Sequence, residues 1–308
     1  MKLKGFKTLE QFINESKLNE GGNAVSARPM NQEETKAVYD YTQKNIFPLL
    51  GLDGEGIDAA VIGSYGKKPP EMTSGDVDVA ISADVVAAKN GLPLDNKDLL
   101  TFVDKTLKAK GYETSVGWGF NQVSVSVQIP GTKDFGQVDL MLSTNLDWSK
   151  FMYHSPDFTK AESKYKGLYR NILLMSVISE SSSKVEKEFE GETEEYSAYV
   201  VRLDKGIFKV RKSFMGKSGK LVKTAKLLKE YDKFITNTPE EVVKLAFGEN
   251  VVPGDIGTFE SIWAKVMAKD FIHKELREKI IKKFHSGLSK SGFPFPTEAV
   301  EAYPNIFK

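Results

Sequence analysis

The stretch over residues 61–81, Val-Ile-Gly-Ser-Tyr-Gly-Lys-Lys-Pro-Pro-Glu-Met-Thr-Ser-Gly-Asp-Val-Asp-Val-Ala-Ile, limits what this chain can fold into more than any other. An apolar strand runs into a Gly-Ser turn, a polar loop follows, and a second apolar strand begins with two carboxylates. Strand side chains alternate faces, so Asp76 and Asp78 point the same way, about 7 Å apart along the strand. Two convergent carboxylates suit Mg²⁺, a hard cation that completes its shell with water and substrate phosphates.

Asp-x-Asp is common at solvated strand ends in a chain with 42 acidic residues. Two further features single out this pair. Gly63-Ser64 closes its own apolar segment upstream, and a third carboxylate, Asp139, lies within the apolar run Gly136-Gln-Val-Asp-Leu-Met-Leu142. A buried Asp needs a charged or hydrogen-bonded partner. A shared metal would supply one.

Over about residues 31–180, these motifs resemble the nucleotidyltransferase superfamily that includes DNA polymerase beta, poly(A) polymerases and CCA-adding enzymes. The resemblance implies an α+β nucleotidyltransferase fold, a mixed sheet flanked by helices. It implies that Gly63 and Ser64 form the phosphate-contacting turn and that Asp76, Asp78 and Asp139 are the catalytic metal ligands for Mg²⁺ or Mn²⁺. In related polymerases a basic residue on the helix after the third carboxylate contacts the triphosphate, which makes Lys164 a candidate. Lys67 and Lys68, in the loop after the turn, are further candidates for nucleotide binding. Haloacid-dehalogenase phosphatases place their carboxylate pair directly after a continuous apolar strand, whereas Met72-Thr-Ser-Gly75 precedes it here. Metal-dependent glycosyltransferases lack the Gly-Ser turn at this spacing. Gly216-Lys217-Ser218 resembles the end of a P-loop, but Arg211 stands where that motif needs its first glycine.

Composition removes other chemistries. The absence of cysteine excludes disulfides, thiolate zinc sites and thiol nucleophiles. His154, His273 and His285 are scattered without ligand spacing and read as surface or packing residues. No apolar run approaches a membrane span. The net charge of +1 conceals a basic region: residues 200–230 hold ten Lys or Arg against Asp204 and Glu230. In Gly206-Ile-Phe-Lys-Val-Arg-Lys212 basic and apolar positions interleave, as in a strand half buried and half open to a partner. Lys209, Arg211 and Lys212 are therefore the candidate acceptor-binding residues, and phosphate backbones are the natural partners of such a patch.

Four regions follow along the chain: a leader over 1–20, a catalytic domain over 21–180, an acidic linker over 181–198, and a mainly helical C-terminal domain over 199–308 that opens with a basic β-hairpin. The leader reads as a short amphipathic helix or flexible segment. It resembles the capsid-targeting peptide of internal head proteins in T-even-like bacteriophages, whose maturation protease cuts after Glu in Leu/Ile-x-Glu. Ile13-Asn-Glu15 and Leu18-Asn-Glu20 offer that pattern. The resemblance implies packaging in a phage capsid and a location in the virion interior or the host cytoplasm. Asn31 with Glu34 forms a capping-box pattern, and Asp95 or Asn96 can cap a helix carrying Leu99, Val103 and Leu107. Strands are expected over 57–62, 77–82, 112–116, 123–129 and 137–142. Helices are expected over 161–180, after Thr238-Pro239, and over 259–286, where the Trp and Phe stripe reads as packing.

The reaction implied by the resemblance is two-metal transfer of a nucleoside monophosphate from an NTP to a hydroxyl, with release of pyrophosphate. RNA is the favoured acceptor, with a host protein as the other macromolecular choice. Two alternatives stand beside it: a noncatalytic internal head or nucleic-acid-binding protein that keeps the fold, and a small-molecule adenylyltransferase.

Overall fold

The computed structural model describes residues 24–54, 58–118, 121–181, 193–215 and 226–307; within these, the side chains of 193–198, 211–215 and 226–232 are not described. The leader with its two Glu sites, and most of the acidic linker, lie outside the described residues. The chain divides into two compact units, residues 1–150 with 157–162 and residues 151–156 with 163–308.

The first unit is built on a five-stranded sheet. It opens with α1 (Gln32–Asn45), whose N-terminus carries the expected capping box: Asn31 accepts from the Glu34 amide while the Glu34 carboxylate accepts from the Asn31 amide. Then come β1 (Ala59–Val61), β2 (Asp76–Ser82), α2 (Ala83–Asn90), α3 (Asn96–Ala109), β3 (Thr114–Gly117), β4 (Gln122–Gln128), β5 (Phe135–Ser143) and α4 (Leu146–Met152). Asp95 caps α3 by accepting from the Lys97 and Asp98 amides. The sheet order is β1-β2-β5-β4-β3, with β2 and β5 parallel and every other pair antiparallel. The sheet is therefore mixed and the fold α+β.

Strand alternation gives this sheet two unlike faces. Val77, Val79 and Ile81, Val123, Val125 and Val127, and Val138, Leu140 and Leu142 join one apolar core with Val38, Tyr39, Leu99, Val103 and Leu107 of the helices. Most intervening positions of the same strands are polar, namely Asp76 and Asp78, Gln122, Ser124 and Ser126, Gln137 and Asp139, with Ala80 and Met141 the buried apolar exceptions. Helices cover the apolar face, and the polar face is left for chemistry.

An N-terminal strap ties the two central strands together. The Ala24 amide donates to Gln137 Oε1 (3.3 Å), Ser126 Oγ donates to the Ser26 carbonyl (2.7 Å), and the Arg28 amide donates to the Phe135 carbonyl (2.9 Å). Met30 and Ser74 then exchange backbone bonds of 2.7 and 2.8 Å. The strap thus grips β5 at Phe135 and the chain two residues before Asp76.

The second unit holds α5 (Gly167–Ser181), a three-stranded antiparallel sheet of β6 (Thr193–Arg202), β7 (Gly206–Met215) and β8 (Lys226–Thr236), and then α6 (Pro239–Phe247), α7 (Phe259–Met267), α8 (Arg277–Ser291) and α9 (Thr297–Ala302). Three expectations need correction. The helix expected over 161–180 begins at Gly167, because a 3-10 turn and hydrogen bonds from Ser163 Oγ to the Glu260 carboxylate occupy the preceding residues. It belongs to this second unit, so the division falls before it and not in the acidic stretch after residue 180. The helical stretch expected over 259–286 forms two helices, separated where the Arg277 guanidinium donates to the Val266 and Ala268 carbonyls at 2.8 and 2.7 Å and ends α7. The basic hairpin gains a third strand, β8. Phe259, Ile262, Trp263, Val266, Ile280, Ile281 and Phe284 are buried, as the packing reading expects. Among the described residues no helix is long and apolar enough to cross a membrane.

Candidate active site

The parallel pairing of β2 with β5 sets Asp78 directly opposite Asp139, and Asp76 opposite Gln137. All three Asp side chains rise from the polar face. One carboxylate oxygen from each of Asp76, Asp78 and Asp139 lies within 4.8 Å of the others. The sequence names these residues on separate strands, and the register brings them together.

Electrostatics make this an expensive arrangement for bare carboxylates. Burial, and then the charges of Asp76 and Asp139, hold the Asp78 carboxyl well above the usual range, while Lys68 pulls it back. Burial also raises Asp139, which is 6% exposed, against hydrogen bonds from Ser124, Gln137 and Gln122 that favour its anion. Gln137 Nε2 donates to Asp139 Oδ1 at 2.9 Å. Since Gln137 Oε1 accepts from Ala24, the amide is held from both ends, and the strap fixes the orientation of Asp139. Three hard oxygen donors that repel one another fit a divalent cation, which would offset their charge.

Gly63 has φ +67° and closes the turn from β1. A Cβ placed on it would lie 2.5 Å from Asp78 Oδ2, so only glycine fits both the backbone conformation and the approach. Ser64 starts the turn and its carbonyl accepts from the Lys67 amide (3.1 Å). The Lys67 carbonyl accepts from the Phe158 amide (2.8 Å), which anchors the loop. Lys68 Nζ donates to the Thr73 carbonyl (2.8 Å), and its charge reaches Asp78.

The remaining candidates lie in the second unit. Lys164 pairs with Glu298 at 2.8 Å and sits 5.1 Å from the Tyr165 ring centroid. Arg170 on α5 is buried, its guanidinium donating to the carbonyls of Ile256 and Phe151, which makes it a packing residue. Lys209 is half-buried on β7 between Tyr199 and Lys233, while the side chains of Arg211 and Lys212 lie outside the described residues. His285 stacks on Phe295 and His273 Nε2 meets the Leu245 carbonyl, both in keeping with packing.

Sequence reasoning missed Gln137, Gln122 and Ser124. Their signal was available: each occupies an alternating strand position where an apolar residue would be expected if that face were core.

No protein-family model matches the chain, and no curated protein matches its sequence. Among solved structures, the chain is similar to one of Cid1 in complex with its short product ApU, at 15% identity over 55% of this chain and 46% of that one, with a TM-score of 0.27. It is also similar to a cytoplasmic RNA terminal U-transferase, at 14% identity over 56% and 47% of the two chains, with a TM-score of 0.28. The chain spans about half the length of each.

Proposed function

We propose that the chain is a metal-dependent nucleotidyltransferase that moves a nucleoside monophosphate from an NTP to a hydroxyl acceptor, RNA being favoured. The observation that carries this reading is the convergence of Asp76, Asp78 and Asp139 from two parallel strands, with a glycine-only turn against Asp78.

Asp76, Asp78 and Asp139 would hold Mg²⁺ or Mn²⁺, and the bound metal would neutralise triphosphate charge and acidify the acceptor hydroxyl. The chain's own residues position the reactants. Gly63 lets backbone approach a phosphate, and Ser64 offers a hydroxyl donor beside it. Lys68, and Lys67 before it, supply positive charge along the leaving pyrophosphate. The acceptor oxygen attacks the α-phosphorus, the bond to the bridging oxygen breaks, and pyrophosphate leaves. Asp139, oriented by the Gln137 amide, takes the hydroxyl proton. Lys164 as a triphosphate contact, and Lys209, Arg211 and Lys212 as acceptor contacts, belong to the same proposal.

The test is a transfer assay with Mg²⁺ or Mn²⁺, each labelled NTP in turn, and RNA or protein extract as acceptor. Transfer that disappears with Asp76→Ala plus Asp78→Ala supports the reading; no transfer under any condition removes it. Packaging in a phage head is a separate proposal resting on the leader's resemblance. Mass spectrometry of virions would find a chain beginning at Ser16 or Gly21, and absence from virions would end that proposal.

A further inference from the structure

In the second unit, Arg202, Phe208 and Phe234 form a cluster that the core does not account for. Phe208 and Phe234 are register partners across β7 and β8, and Phe208 is also opposite Val200, two residues before Arg202 on β6. The three side chains therefore share one face. The Arg202 guanidinium carbon lies 4.1 Å from the Phe208 ring centroid, within cation–π range. Phe234 meets Phe208 edge-on, with centroids 5.5 Å apart and planes at 72°. Phe234 is nevertheless 49% exposed. The aromatic stripe of α7 and α8 behaves differently: its Phe259, Trp263 and Phe284 stack on one another and are buried.

We propose that this cluster is a stacking platform for an unpaired base of a single-stranded RNA, an inference that rests on reading RNA as the acceptor. An open phenyl ring braced edge-on by a second ring offers a flat face of the kind on which bases stack, and the adjacent guanidinium offers a charge for the phosphate that follows. The surroundings match a polyanion. Among the described side chains, Lys205 follows Arg202 in the turn to β7, and Lys209 and Lys233 are register partners on the reverse face. Asp204 lies 3.9 Å from Lys205. A duplex buries its base faces, so the platform selects single strands. An RNA brings a base face for the ring and a phosphate for the guanidinium together, a pairing an acidic peptide does not supply.

The experiment is equilibrium binding of a labelled single-stranded RNA of about 12 nucleotides, and of its duplex, to the full chain without NTP or divalent metal. Phe234→Ala should weaken single-strand binding about 5- to 100-fold, the range of one lost stacking contact, and Phe234→Trp should restore it. Arg202→Ala should lower the salt slope by about one. Far-UV circular dichroism on each variant confirms that it is folded. Unchanged affinity in Phe234→Ala, equal affinity for duplex and single strand, or binding of a protein acceptor without RNA binding would each overturn the proposal. Because no catalysis is involved, the two readings fail separately. Lost RNA affinity in Phe234→Ala with no nucleotidyl transfer by the wild type leaves the platform standing and the enzyme reading fallen. Transfer that depends on Asp76 and Asp78, with RNA affinity unmoved in Phe234→Ala, does the reverse.

Discussion

Gly63 and Asp78 are packed so that a methyl group on the first would strike the carboxylate of the second, 2.5 Å from Oδ2. The turn is thereby tied to β2, the strand that carries Asp76 and Asp78, and the tie separates two glycines with nearly the same backbone. Gly63 has φ +67° and Gly66 +66°, but a Cβ on Gly66 would meet nothing within 4 Å.

Substituting either by alanine should cost about 1–2 kcal/mol for the left-handed backbone. Gly63→Ala should in addition displace Asp78 and abolish most transfer activity, while Gly66→Ala should keep it. Thermal melts and initial rates on the pair check this, and equal activities would show that the contact with Asp78 is unimportant.

The carboxylate cluster stores instability, and its pH dependence has a defined sign. The folded-state pKa of Asp78 is raised, so between the ordinary carboxylate range and that raised value the native state holds a proton the unfolded chain has released. The metal-free protein should therefore lose stability as pH rises through this window, and carry the full penalty above it. Asp78→Asn should raise the metal-free Tm at pH 8, by roughly 2–4 °C per kcal/mol recovered, and flatten the profile while eliminating transfer. Adding Mn²⁺ should stabilise the wild type and not the variant, as differential scanning fluorimetry at pH 5 and pH 8 would record.

Gln137 connects the strap to Asp139, so its loss should act on catalysis more than on folding. Gln137→Leu removes a hydrogen bond to a charged group, worth roughly 1.5–3 kcal/mol, and should lower kcat about 10- to 100-fold with little change in KM for the NTP. Ser126→Ala, which touches the same strap through the Ser26 carbonyl, should leave kcat nearly unchanged. A chain beginning at Gly21 should remain active, since Ala24 is kept. One beginning at Asn31 should not.

Lys68 supplies the charge that lowers the Asp78 pKa. Lys68→Met should move the acidic limb of the pH–rate profile to higher pH and raise KM for the NTP. Lys164→Ala breaks a partly exposed pair with Glu298 and should cost under about 1 kcal/mol of stability. Comparing the KM values of the two variants decides whether Lys164 also contacts the triphosphate.

Local signals carried much of this structure into the sequence. Asn31 with Glu34 fixed one helix start, Asp95 another, and the alternation of Val123 to Val127 a strand. The three Asp were legible because carboxylates inside apolar strands demand a partner. What escaped was set by pairing at a distance. That Asp78 lies opposite Asp139 depends on a parallel register with two helices and a hairpin between the strands, and the strap that supports it joins Ala24 to Gln137. The break at Arg277 escaped for the same reason: the guanidinium that ends α7 comes from the following helix. Lys67 and Lys68 are neighbours in sequence, and only the folded loop shows that the charge of Lys68 reaches Asp78.

The most direct measurement is pyrophosphate release per NTP, with and without Mg²⁺ or Mn²⁺, for the wild type and for Asp76→Ala, Asp78→Ala and Asp139→Ala. The account predicts release that requires the divalent ion and an acceptor and falls to background in every variant. Release that persists in the variants, or that proceeds equally with the metal chelated, would contradict it.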